Sequence, residues 1–512
     1  MAIIKLRRAR NSLLDVSRLP SEILGDIFRR NVALEGLVGG LGERSHNFLF
    51  VCHHWFSVAS CNPEVWSFWG NNLQDWRKRH IRYPTTPLDL VLRQESFDAE
   101  TLDDSLRNAL QDRAARDTIR RIHLFAHDSQ LLHSILSSLA SSEGPRSSSV
   151  QSVVVKDESK DTLIDIPNLF SCRFPRLQHL TLDGCKIPSW NLVIPQTSTL
   201  TTLFLNLVYP TPLPTMSRLL SFLGSNPALQ EISLLGCAVP DGGGDMSSVP
   251  VPLHQLRELK LAGNPLQVFG FLCQLNLPGN MDRFLIHLSG CTLEDIPKTI
   301  GPYLRDHLRR RKRSQSGVGL TLSSRQGIIK EFIELRVGDV CGVDFSAPGP
   351  VRMEKLVEIS ICLDTAPSHV AVQQHVLDLV AHAPREEIVY FHVRGTPVVM
   401  ADVSTKLPCL RALHIEWTFL DLAFPEPTPD TDAEIFPSLQ HLTLGILYVP
   451  RDEWGPLTAF LARRVSSGNQ LDTLVIGALH PPHRDAEEAF RKWVPEFRIT
   501  DVRELESMST RY

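Results

Sequence analysis

The sequence predicts an α/β protein: a small N-terminal module of three helices, then an irregular repeat solenoid with a curved parallel sheet and outer helices. Three observations predict it. Between Leu19 and Trp66, apolar residues recur at helical spacing and prolines mark helix starts. From Ile119 onward an apolar triplet spaced L-x-x-L-x-L returns many times, and self-similarity at about 20 to 50 residues marks stacked repeats. The chain of 512 residues, 43% hydrophobic and 21% charged, has the composition of a globular protein long enough to bury a large core or a repeat array.

The helical module comes first. Pro20 suits a first helical position, where its missing N–H costs nothing, and Glu22 complements the positive end of the helix dipole. A helix is therefore predicted to start at Leu19 or Pro20. Ile23, Leu24, Ile27 and Phe28 form one apolar stripe on it. In a second helix Val51, Cys52, Trp55, Val58 and Ala59 share a face, and Asn62-Pro63 reads as an N-cap with a first-turn proline opening a third. So small a module has little core of its own, and leftover apolar side chains are expected to dock on another protein.

The order Leu-Pro, Ile-Leu, Ile-Phe, Val-Cys, Trp and Pro-x-x-Trp over residues 19–70 resembles the F-box family. That resemblance implies docking on the Skp adaptor of cullin-RING ubiquitin ligases through Leu19, Pro20, Ile23, Leu24, Ile27, Phe28, Val51, Cys52, Trp55 and Val58. The sequence departs from the family in residues 31–45, a glycine-bearing stretch expected to lengthen the first connection. Residues 1–18 form a short basic segment ahead of the module.

After a linker at residues 71–118, which contains an alternating strand from Thr86 to Leu92, the triplets begin. The best matches are Leu177, Leu180, Leu182; Leu200, Leu203, Leu205; Leu229, Ile232, Leu234; and Leu256, Leu259, Leu261. Later copies are Leu356, Ile359, Ile361; Leu410, Leu413, Ile415; Leu439, Leu442, Leu444; and Leu471, Leu474, Ile476. Weaker ones start at Ile119, Val150, Met281, Phe332 and Ile388, and well-matched starts are typically 22 to 32 residues apart. The second and third apolar residues are expected to point inward from a short strand that the first turns the chain into, with neighbouring strands stacking as a ladder. Segments such as 216–224, 370–383 and 457–465 are expected to be outer helices, with a first one at 98–116.

With Cys185 and Cys237 three residues past the last apolar position, and Asn264 there in another copy, residues 119–500 resemble the leucine-rich repeat family. Residues 501–512 form a tail. An F-box followed by such repeats resembles the large sets of F-box proteins found in fungi.

Other chemistry has little support. The net charge of −4 steers the chain toward no nucleic acid. Ten cysteines without a C-x-x-C pair read as reduced core residues of an intracellular protein, and no apolar run reaches membrane-spanning length. The cytoplasm or nucleus is therefore expected, and the basic run at residues 309–313 reads as an exposed insertion. No catalytic, nucleotide-binding or zinc-spaced motif occurs. His53-His54 and the His480, His483 pair lack acidic or thiol companions, so no cofactor and no metal is expected.

The sequence is thus read as a non-catalytic substrate-recognition adaptor of a Skp-cullin-F-box ligase, acting by proximity; the alternative is an F-box scaffold that binds partners without directing ubiquitination. The target is expected on the sheet face opposite the inward residues, in the C-terminal repeats. There Tyr390, His392, Arg394, His414, Glu416, Trp417 and His441 form a group whose Tyr, Arg and Trp are the residue types that most often carry binding energy.

Overall fold

The computed structural model describes residues 19–38, 48, 49, 51–69, 86–93, 118–126, 149–157, 164, 165, 174–187, 199–206, 209, 210, 215–236, 239, 250–278, 281–291, 318–326, 331–340, 353–363, 388–394, 400–416, 424, 436–446, 454–478, 482 and 484–500. The chain divides into two compact units, residues 1–240 with 251–255 and residues 241–250 with 256–512.

The first unit opens with α1 (Ser21–Val38), α2 (His53–Cys61) and a 3-10 turn over Pro63–Trp66. The Leu24 amide bonds the Pro20 carbonyl at 3.0 Å, so the helix starts where the proline implied. The cap at Asn62 also forms, its Oδ1 accepting from the Glu64 amide at 3.1 Å. One expectation is corrected: α1 runs on to Val38, so much of the stretch read as a lengthened connection is helix. Residues 31–35 read Asn-Val-Ala-Leu-Glu, with no helix breaker, and they simply continue the turn pattern.

Parallel strands follow: β1 (Phe68–Trp69), β2 (Leu88–Arg93), β3 (Ile119–Ala126), β4 (Ser152–Asp157), β6 (His179–Asp183), β8 (Thr202–Asn206) and β10 (Glu231–Leu235). Between them lie β5 (Ile164–Asp165), β7 (Cys185–Ile187) and β9 (Tyr209–Pro210), which form a second, three-stranded parallel sheet. In the main sheet the triplets set the register. Ile122 pairs with Val153, Val153 with Leu180, Leu180 with Leu203 and Leu203 with Ile232, and each is at most 2% exposed. A slip by one residue would turn all of these apolar side chains to the opposite face. The Cys185 thiol is buried and donates to the Asp183 carbonyl. The amphipathic α3 (Met216–Ser225) buries Met216, Leu219, Leu220, Phe222 and Leu223, and β11 (Val251–Pro252) completes the unit.

The helical module is fused to this sheet. Leu24, Phe28, Val32, Phe48, Ala59 and Val65 share one buried cluster with Val91 of β2, and Phe125 of β3 packs against it. Strand β2 is therefore buried on both faces: Leu90 and Leu92 on one, Asp89 and Val91 on the other.

In the second unit, β12 (Glu258–Gly263) leads into α4 (Pro265–Cys273), which Asn264 caps by accepting from the Gln267 amide at 2.9 Å. After β13 (Leu275–Asn276) come β14 (Arg283–Cys291), β15 (Val318–Gln326), β16 (Glu331–Val340), β17 (Met353–Leu363) and β18 (Ile388–Arg394). Then follow α5 (Met400–Lys406), β19 (Ala412–Glu416), β20 (His441–Ile446), α6 (Gly455–Ser466), β21 (Thr473–Ala478), α7 (Arg484–Trp493) and β22 (Glu496–Thr500).

From β18 to β21 the ladder is parallel and in triplet register: Phe391, Leu413, Leu442 and Leu474 stand side by side. The stretch β15 to β17 departs from the expected order. Here β14 pairs with β17 and β15 with β18, both parallel, while β16 lies antiparallel between β15 and β17. The triplet starting at Phe332, expected as one more parallel strand, is thus corrected to the reversed strand of a meander. Only residues 327–330 join β15 to β16, and a parallel crossover needs about a dozen residues.

Two expected helices, 98–116 and 370–383, and the basic run 309–313 lie outside the described residues. Those at 216–224 and 457–465 are present as α3 and α6.

Candidate functional site

The N-terminal apolar stripe splits into two sets. Leu24, Phe28 and Val32 recur every four residues and are buried, Phe28 stacking on Phe48 at 4.5 Å between ring centroids and meeting Trp55 at 5.1 Å. Ile23 and Ile27 precede them by one position, about 100° round the helix, and are 49% and 45% exposed. Pro20 is exposed one turn before Ile23. Of the ten residues expected to dock a partner, Leu24 and Phe28 are therefore corrected to core. Leu19, Trp55 and Val58 are partly buried against that core. Cys52 is the half-buried cap of α2, its Sγ accepting from the Trp55 amide. Pro20, Ile23, Ile27 and Val51 remain as accessible apolar groups, and Phe56, which the spacing did not single out, joins them at 48% exposure.

Gly25 keeps α1 close to the third helical turn. A Cβ there would stand 2.5 Å from Asn62 Nδ2, whose amide forms the cap of that turn. The Trp66 indole donates to the Ala59 carbonyl at 2.8 Å, tying the same turn to α2. The accessible side chains of α1 are thus presented by a helix that its other face and its neighbours hold in place.

Where the module meets the sheet, a buried carboxylate is compensated. Asp89 accepts from Arg120 through both oxygens, at 3.2 and 3.1 Å, and Arg121 stands 3.7 Å away. His123, two residues on from Arg121 on the same face, is pushed down to about 4 by burial, with the Asp89 charge opposing the shift and Arg121 adding to it. Its folded pKa lies below its unfolded value near 6.5. The stability contributed by the neutral ring is then full above about pH 6.5 and is lost as pH falls toward 4, by up to about 3 kcal/mol. Urea unfolding between pH 7.5 and 4.5 checks this expected outcome: His123→Gln should flatten the acid loss, and parallel pH profiles for variant and wild type would refute it.

Four of the seven residues expected to hold a target are buried and not on a surface. Tyr390, His392, His414 and Glu416 are 2%, 5%, 2% and 2% exposed, so their reading as an accessible face is corrected. Strand geometry places them as expected, on the face opposite Phe391, Val393, Leu413 and Ile415. The pattern cannot reveal that this face is covered. His441 is half-buried, Arg394 stands in register with Glu416, and Trp417 lies outside the described residues.

Instead of a surface, the strands assemble a compact polar group. His392 pairs directly with His414 across β18 and β19, and Glu416 follows two residues later on the same face. His392 Nε2 is 3.0 Å from Glu416 Oε1, His414 Nε2 is 3.8 Å from the same oxygen, and the two ring centroids are 4.5 Å apart. Spacing along the chain hides this trio, because the histidines are 22 residues apart and meet only through strand pairing. Another unread signal is the near-identical Phe-Pro-x-Leu-Gln-His-Leu-Thr-Leu at residues 174–182 and 436–444, where Phe174 and Phe436 are buried at the turn before the strand. No protein-family model matches the chain, and no curated protein matches it.

Proposed function

We propose that the chain is a substrate-recognition adaptor of a Skp-cullin-F-box ubiquitin ligase, docking on the Skp adaptor through its N-terminal helices while the repeat-bearing part holds a target protein. The observation that carries the reading is the two-sided character of α1. One face, Leu24, Phe28 and Val32, is consumed by the local core, while Ile23 and Ile27 stay nearly half exposed beside Pro20. Exposed aliphatic side chains on a helix held rigidly from behind are what a helix-binding groove takes up. The Leu-Pro, Ile-Leu and Ile-Phe order of this helix, followed by Val-Cys, Trp and Pro-x-x-Trp, supports the Skp adaptor as the occupant. In this reading the chain supplies position, and the acid, base and nucleophile of ubiquitin transfer belong to other subunits.

The test uses purified full-length chain and purified Skp adaptor. Ile23→Asp with Ile27→Asp is expected to weaken binding by about 100-fold or more, since truncating interface anchors commonly costs about 2 to 4 kcal/mol. The melting temperature should stay unchanged because both positions face solvent. Equal affinity for variant and wild type would remove the proposal. The scaffold reading is separated by interaction mass spectrometry with and without proteasome inhibition, because only a degradation adaptor has a partner that accumulates under inhibition.

A further inference from the structure

We infer that His392, His414 and Glu416 form a binding site for a divalent transition-metal ion of the zinc class. Their donor atoms all lie within 4.8 Å of one another. An ion bound at about 2.0 to 2.2 Å holds tetrahedral ligands about 3.4 Å apart, and the Glu416 oxygen stands 3.0 and 3.8 Å from the two imidazole nitrogens. The longer separation exceeds a hydrogen bond but suits two ligands of one ion. The rings are inclined by 52°, so the two imidazoles are not stacked flat and their nitrogens can converge on a shared centre.

Charge and surroundings point the same way. A carboxylate as buried as Glu416 calls for positive charge nearby. A divalent ion supplies that charge and takes both imidazoles and the carboxylate as ligands of the borderline type that zinc favours. Across from Glu416 on β20 stands Gly445, and beyond it Gly477 on β21, so the row beside the carboxylate carries no side chains. The backbone prepares the site: two ligands face each other across a strand pair and the third follows by the two-residue repeat of β19. An ion there ties β18 to β19 on the face opposite their apolar ladder.

The test uses the full-length chain without a polyhistidine tag, because the sequence already has 19 histidines. Purified protein stripped with chelator is titrated with Zn²⁺ against a chromophoric competitor, then with Co²⁺ while visible absorption is recorded. One ion per chain is expected, with a Co²⁺ spectrum of low coordination number and a melting temperature raised by Zn²⁺. Glu416→Gln keeps the shape and a hydrogen-bonding oxygen but loses the charged ligand. It should weaken Zn²⁺ by more than about 100-fold, beyond what loss of a merely supporting contact produces. His392→Gln should do the same. Equal binding by Glu416→Gln and wild type means adventitious metal on other histidines and overturns the site. If the variants fail to fold, the wild-type Co²⁺ spectrum decides: no ligand-field bands at one equivalent leaves only a hydrogen-bonded His–Glu pair.

Discussion

Leu180→Asp is expected to unfold the first unit, whereas Thr181→Asp, one residue further on, is expected to leave it folded. Leu180 is 1% exposed and stands between Val153 and Leu203 in the parallel ladder, with Leu182 following on the same face. Replacing it forfeits roughly 2 kcal/mol or more of apolar burial and forces a carboxyl group into a row without donors. A total above about 5 kcal/mol approaches the whole stability of an ordinary domain. Thr181 points to the other face, is only half-buried, and should change stability by less than about 1 kcal/mol. Hydrogen exchange across residues 150–235 of the two variants, alongside thermal melting, distinguishes them. Equal losses would mean that the inward and outward assignment of the triplets is wrong.

In the second unit the largest expected effect is at Arg464. This arginine of α6 is 3% exposed, and its guanidinium donates to the Phe436 and Leu439 carbonyls of the turn leading into β20. The turn needs holding, because Phe436 sits at φ 57°, a left-handed conformation that costs a large side chain energy. Its amide is engaged as well, donating to Ser404 Oγ of α5 at 2.7 Å. Arg464→Ala removes two charge-assisted hydrogen bonds from buried carbonyls and leaves Phe436 O only its bond from the Leu439 amide, for an expected loss of about 3 to 5 kcal/mol. Arg464→Lys should recover about half of that, since an ammonium cannot reproduce the two-pronged geometry. Denaturant unfolding of the three proteins checks the order. A loss under about 1 kcal/mol for the alanine variant would show that the turn holds itself.

Much of this architecture was legible beforehand, for a definite reason. A parallel strand buried on one face must carry apolar residues two apart, and a neighbour in register must carry them at matching positions, so Leu180, Leu203 and Ile232 announce both the strands and their alignment. Helix caps are equally local. Pro20 and Asn62 act within four residues of themselves, so their roles follow from spacing alone.

What the sequence by itself determined is therefore most of the parallel ladder, its inward set and the starts of the N-terminal helix and of the turn at Pro63, all consequences of spacing within a few residues. The tertiary structure decided the rest, because each remaining point depends on groups far apart in the chain. Which of Ile23 and Leu24 faces inward depends on where Phe48 and Trp55 come to lie. The antiparallel course of β16 places β17 beside β14, an order that the apolar triplets alone do not distinguish from a simple succession. Arg464 has the look of a solvent-facing helix residue until α6 is laid against the Phe436 turn. His392, His414 and Glu416 sit at positions that spacing assigns to an open face, and only the covering of that face turns three polar residues into a buried cluster whose donor atoms lie within 4.8 Å of one another.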